Sequence, residues 1–189
     1  MRVLKAFLVV SIGLFCIITL FSLLIPSHVR VSRAVLINNT NTANVYKQIS
    51  SFSNWKSWHP IFTIDSAKLV WPSTNIAGKD SGCIIMHRGK QVQLSLVSAD
   101  SNNIKFLLRS AGENDIDNDV VLTPYPAQNA VQVEWRAITH LHWYPWEKFY
   151  GIFLDKLTGP GYESALNGLK SFMEKSVSTV RENAGSKEL

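Results

Sequence analysis

The chain lacks most of the patterns by which covalent or metal chemistry is recognised. It has two cysteines, Cys16 and Cys83. They lie far apart in dissimilar surroundings, so no disulfide framework organises the fold. Cys83, set between Gly82 and Ile84, reads as a buried thiol rather than a nucleophile. No nucleophile elbow, phosphate loop, dinucleotide fingerprint or metalloprotease helix occurs. No internal repeat or low-complexity segment occurs either, which excludes a solenoid. Charged residues make up only 17%, and the net charge of +5 is interleaved with acids. Nucleic acid would ask for a basic stripe, so the composition predicts no nucleic-acid partner. A catalyst that works by shaping and positioning its substrate is still compatible with these absences.

Charge is missing altogether from residues 6–25, AFLVVSIGLFCIITLFSLLI. At about 1.5 Å per residue such a helix covers about 30 Å, the thickness of a bilayer's hydrocarbon core. A spanning helix also satisfies its own backbone. A cleaved signal peptide fits less well: the run is long and ends in Leu24-Ile25-Pro26-Ser27 without a small-x-small site. Phe15 is too bulky for a lipoprotein signal at Cys16, and a buried core helix would need a polar face. Arg2 and Lys5 precede the run, and His28, Arg30 and Arg33 follow it. The slight bias predicts a cytoplasmic N-terminus and an exported domain. We therefore divide the chain into an anchor (1–27), one domain (28–180) and a polar tail (181–189). The domain is long enough to bury a sizeable core.

Within it, residues 29–37 alternate as a strand, and 38–50 open with capping Asn and Thr side chains and continue as a helix. Residues 52–58 predict a short helix halted by Pro60. Strands are expected at 68–71, 82–87, 90–98, 103–109, 117–123 and 129–143, with a tight turn at Arg88-Gly89. In the last, Val131, Val133, Trp135, Ala137, Thr139, Leu141 and Trp143 share one face. Residues 146–157 predict a helix opened by Pro145, and Gly159-Pro160-Gly161 a break. A long amphipathic helix then covers 162–180. It alone is long enough to cover one face of the antiparallel sheet.

Three stretches carry a family likeness. Residues 31–37, VSRAVLI, precede a helix bearing Val45-Tyr46. Trp55-x-x-Trp58-x-Pro60 forms a turn motif. WYPWEKFYGIFLDKLTGPGYESALNGLKSF contains Asp155, Gly159, Tyr162, Glu163, Leu166 and Leu169. Over roughly residues 29–177 the chain resembles the START-like (SRPBCC) superfamily, and within it the polyketide cyclase/dehydrase-like proteins, some of them membrane-anchored. The resemblance implies an α+β helix-grip fold, a curved antiparallel sheet around the C-terminal helix. It also implies a cavity between them for a hydrophobic or lipid-like molecule, and no cofactor. It does not imply a reaction.

Strand and helix phase nominate Trp58, Trp71, Leu94, Phe106, Trp135 and Leu166 as ligand-lining residues. Trp55 and Trp58 could form a pocket wall or lid, but the preferred reading is that they pin the short helix to the sheet. His59 is the one weak catalytic candidate, although a lone histidine before proline is more often a surface or capping residue. His140 and His142 stand two apart on one strand face but lack a third ligand, so no metal site is assigned. Glu134 and Arg136 share that face, opposite Trp135. Asp115, Asp117 and Asp119 read as a charged strand edge. Three functions compete: a membrane-anchored carrier or sensor of an apolar molecule, a cyclase or dehydratase acting on a ketone-like substrate, and a ligand-free module docking another protein.

Overall fold

The computed structural model describes residues 2–63, 67–70, 82–87 and 89–185, with side chains as far as residue 176. Helix α1 (Arg2–Leu23) is followed by β1 (His28–Asn38), α2 (Thr42–Ser50), a 3-10 turn (Phe52–Ser57) and α3 (Pro60–Thr63). Strands β2 (Lys68–Val70), β3 (Gly82–His87), β4 (Lys90–Asp100), β5 (Asn103–Ser110), β6 (Ile116–Tyr125) and β7 (Ala130–His140) come next. They are followed by α4 (Pro145–Gly151) and α5 (Leu154–Gly185). Trp71 and residues 186–189 lie outside the described residues, as do the side chains of Val177 and Val180.

The seven strands form one sheet in the order β1-β7-β6-β5-β4-β3-β2, antiparallel throughout. Its inner face packs against α5, the helix-grip arrangement. The fold is α+β, preceded by one helix long and apolar enough to cross a membrane. Local chemistry explains the joints. Asn39 turns the chain at φ 56°, and the side chain of Asn41 caps α2 by accepting the Asn44 amide at 2.9 Å. Helix α2 therefore starts after Asn41, because β1 continues to Asn38. Gly89, at φ 76°, takes the left-handed position of the β3–β4 turn.

Three expectations are corrected. The last strand stops at His140, and Trp143, expected on the inner face, is exposed. Pro145 opens α4, which ends after two turns; α5 then starts at Leu154 and passes unbroken through Gly159-Pro160-Gly161. Proline there costs one N–H donor but not the helix, and Gly159 lets the Arg33 guanidinium lie close. A Cβ at Gly159 would stand 2.2 Å from Arg33 Nη2. Arg33 holds Asp155 with two parallel bonds of 2.9 and 3.1 Å, which fastens α5 to the edge strand β1. Finally, β6 is an interior strand, not an edge. The acids in and just before it have partners on neighbouring elements: Asp115 meets Arg109 at 2.9 Å, Asp117 the His140 ring at 2.7 Å, and Asp119 Arg136 at 3.9 Å.

The outer face of the sheet is polar. Ser32 and Arg136 both bond Glu134, and these bonds hold its carboxyl down at about 2. The inner face carries Ile37, Ile104, Phe106, Val120, Leu122 and Val133, all buried, against Leu166, Leu169 and Met173 of α5.

Candidate functional site

One part of the sheet–helix interface is not filled. A cavity of about 490 Å³ lies between sheet, 3-10 turn and α5. This is within the roughly 300–1,000 Å³ of ordinary small-molecule sites. From the sheet come Ile85, Val92, Leu94, Phe106, Leu108 and Trp135, with Asn118 beside them. Strand alternation puts these on one face, and antiparallel pairing sets Leu94 against Leu108. From α5 come Thr158, Gly161, Tyr162, Ser164 and Ala165, small residues apart from the tyrosine. Trp55, His59, Pro60 and Ile61 close the remaining side.

Aromatic rings form the wall. Trp55 meets Phe106 and Trp135 edge to face, with centroids 5.4 and 5.7 Å apart, and stacks flat on His59 at 5.3 Å. Their polar tips are already used: Trp55 Nε1 donates to the Ile49 carbonyl at 3.0 Å, and Trp135 Nε1 to Asn118 Oδ1 at 2.9 Å. These two indoles thus offer the cavity ring faces rather than N–H donors.

None of the described lining residues is an acid, lysine or arginine. The two titratable groups are held neutral. Burial pushes the His59 imidazole down to about 4 and the Tyr162 phenol up to about 12. His59 Nδ1 accepts the Ile61 amide at 3.3 Å, which leaves the hydrogen of the neutral ring on Nε2. A charged ligand would find no counter-charge here, and burying it would cost several kcal/mol. An uncharged apolar molecule with one or two polar atoms matches the wall.

Of the residues nominated from sequence, Leu94, Phe106 and Trp135 line this cavity, as does His59. Trp58 and Leu166 do not: both are buried in the solid core beside it. Trp58 turns its indole to the Gln48 carbonyl, with Nε1 at 3.3 Å. Leu166 belongs to the packed side of α5, whereas its neighbour Ala165 faces the space. Trp71 lies outside the described residues. Trp55, considered as a pocket wall but read rather as a structural pin, lines the cavity too; sequence phase missed Tyr162 and the small residues of α5, for which the run of Thr, Gly, Ser and Ala at 158–165 was the available signal. His140 and His142 go to different carboxylates, Asp117 and Glu147. Glu134 and Arg136 face away from the cavity.

No protein-family model and no curated protein matches the chain. Solved structures do. A START superfamily protein of Mycobacterium smegmatis superposes with a TM-score of 0.57 at 13% identity, covering 78% of this chain and 98% of its own. A protein of Nitrosospira multiformis gives 0.58 at 16%, covering 78% and 98%. A Staphylococcus aureus protein of unknown function gives 0.58 at 14%, covering 80% and 96%. At such identities the likeness establishes the START-like fold and leaves the ligand open.

Proposed function

We propose that the chain is a membrane-anchored START-like binding protein, of the polyketide cyclase/dehydrase-like group, that holds an uncharged, hydrophobic or lipid-like small molecule. The observation that carries this reading is the cavity beneath α5, large, walled by aromatic faces and lined by no charged group among its described residues. The anchor would be α1, which is long and apolar enough to cross a bilayer. Arg2 and Lys5 ahead of it favour a domain on the exported side; trimming of that domain by protease outside intact cells checks this, and full protection would reverse the orientation.

The neutral state of His59 supports holding rather than catalysis. An imidazole held near 4 is a weak base at neutral pH, and no carboxylate lines the described cavity to orient it.

Binding is tested with the full chain in lipid nanodiscs and an uncharged naphthalene-type fluorophore, read by energy transfer from the cavity tryptophans. Ala165, 1% exposed, faces the space from α5. Ala165→Leu should remove most of the saturable transfer while leaving the circular dichroism unchanged. Equal transfer in both proteins would show that the dye resides in lipid and that the cavity does not bind it.

A further inference from the structure

The solvent side of α4 and the first turn of α5 is apolar. Trp143, Trp146, Tyr150, Phe153 and Leu157 recur at intervals of three and four, and each is more than half exposed, from 52 to 65%. Lys148, Gly151 and Leu154 occupy the opposite, buried side. An amphipathic helix normally turns its polar residues outward. Here the outward side is a nearly continuous apolar stripe, extended by Ile152 and by Tyr144, which stacks on Trp146 at 5.0 Å. The two acids beside it are taken. Glu147 accepts Asn114 Nδ2 and the His142 amide, and Asp155 is held by Arg33.

The place of the stripe says what covers it. Lys148, 3% exposed, donates from Nζ to the Ile25 carbonyl at 3.1 Å and to Ser27 Oγ at 2.5 Å. The Leu141 amide donates to the Ser27 carbonyl at 2.7 Å. Ser22, in the last turn of α1, is fully buried. So α4 is fastened against the exit of α1 rather than joined to it by a loose tether. If α1 crosses a bilayer, its exit lies in the headgroup layer, and α4 is held there with it. Tryptophan and tyrosine, with apolar bodies and polar tips, are the side chains that favour that layer.

We propose that the stripe over residues 143–157 is a membrane-seating face, lying in the boundary between headgroups and acyl chains of the bilayer that α1 spans. It rests on the anchor reading above. Seating would set the domain at a fixed height above the bilayer; behind α4 lies a second cavity, of about 350 Å³, lined by Tyr150 and Leu154 and also by Glu113 and Glu147. Thr158 and Tyr162 line both this cavity and the first.

The test uses the full chain with Cys16→Ser, reconstituted in vesicles of phosphatidylcholine and phosphatidylglycerol. A nitrobenzoxadiazole label is placed at Ile152→Cys, at Leu157→Cys or, as a control, at Ser101→Cys in the β4–β5 turn at the far end of the sheet. Headgroup and shallow acyl spin labels should quench the first two strongly and blue-shift their emission, and should leave the third unchanged. Water-like emission at 152 and 157 in a chain that resists carbonate extraction would overturn the seating alone. Blue-shifted emission that lipid labels fail to quench, with cross-linking between copies, would overturn it in favour of a protein contact. A chain that carbonate extracts would overturn the anchor, and the seating with it.

Discussion

Gly161 and Gly168 stand two turns apart on α5, on the same side of one helix, and meet opposite surroundings. A Cβ built at Gly168 would lie 2.3 Å from the Trp58 carbonyl oxygen, whereas one built at Gly161 meets nothing within 4 Å. Around Gly168 the helix presses on the 3-10 turn, and Leu166, Leu169 and Met173 fill the sheet's inner face. Around Gly161 it presents Thr158, Ser164 and Ala165 to open space. One helix thus does two jobs. Its C-terminal half supplies the packing that stabilises the domain, and its N-terminal half leaves a volume that packing does not occupy. Native interiors are close-packed, so a void of this size is a departure that stability alone does not explain.

The largest effect asks whether that open half is dry. Burial lowers His59 from its ordinary 6.5 to about 4. Between those values the unfolded chain binds more protons than the folded one. The His59 contribution should therefore be lost as pH drops from about 6.5 to about 4, a loss of ~3 kcal/mol, and Glu134, held at about 2, adds a separate loss below about pH 4.5. His59→Phe keeps a ring against Trp55 and cannot titrate, so thermal unfolding across that window should lose this slope. An unchanged slope would place His59 in contact with water and make the two halves of α5 less different than they look.

Much of the fold was legible in the sequence, whereas the contrast between the two halves of α5 was not, and the limits are physical. Alternation in β7 put Val133 and Trp135 inward because a strand's period of two leaves little freedom. The same rule failed at Trp143, where the strand had already ended. Just after the 3-10 turn, Trp58, nominated as lining, packs into the core, and His59, a weak pocket candidate, lines the cavity: tight turns lack the repeat that assigns a face, and the outcome depends on where α5 presses. On α5 itself, Ala165 and Leu166 both fall on the buried side, and no periodicity separates lining a cavity from filling a core. The aromatic repeat from Trp143 to Leu157 is plain in the sequence. That it points outward is not, because helical spacing marks a stripe without saying what it faces. Gly-Pro-Gly reads as a stop on local propensity, yet tertiary packing of α5 on β1 carries the helix through it.

The glycines themselves give the sharpest, and smallest, test. Alanine in a helix interior is favoured over glycine by about 0.8–1 kcal/mol. At Gly161 nothing opposes that gain, so Gly161→Ala should stabilise the protein by roughly 0.5–1 kcal/mol. At Gly168 the same methyl strikes a backbone oxygen, which a side-chain rotation cannot relieve. Overpacking of this kind costs about 1–3 kcal/mol and outweighs the propensity term. Gly168→Ala should therefore destabilise by up to roughly 2 kcal/mol, net of that gain. Paired melting curves in the same detergent read both. Opposite signs separate the two halves of the helix with one chemical change. Two stabilising substitutions would mean that α5 stands clear of the Trp58 carbonyl as well, and the difference between its packed and open halves would disappear.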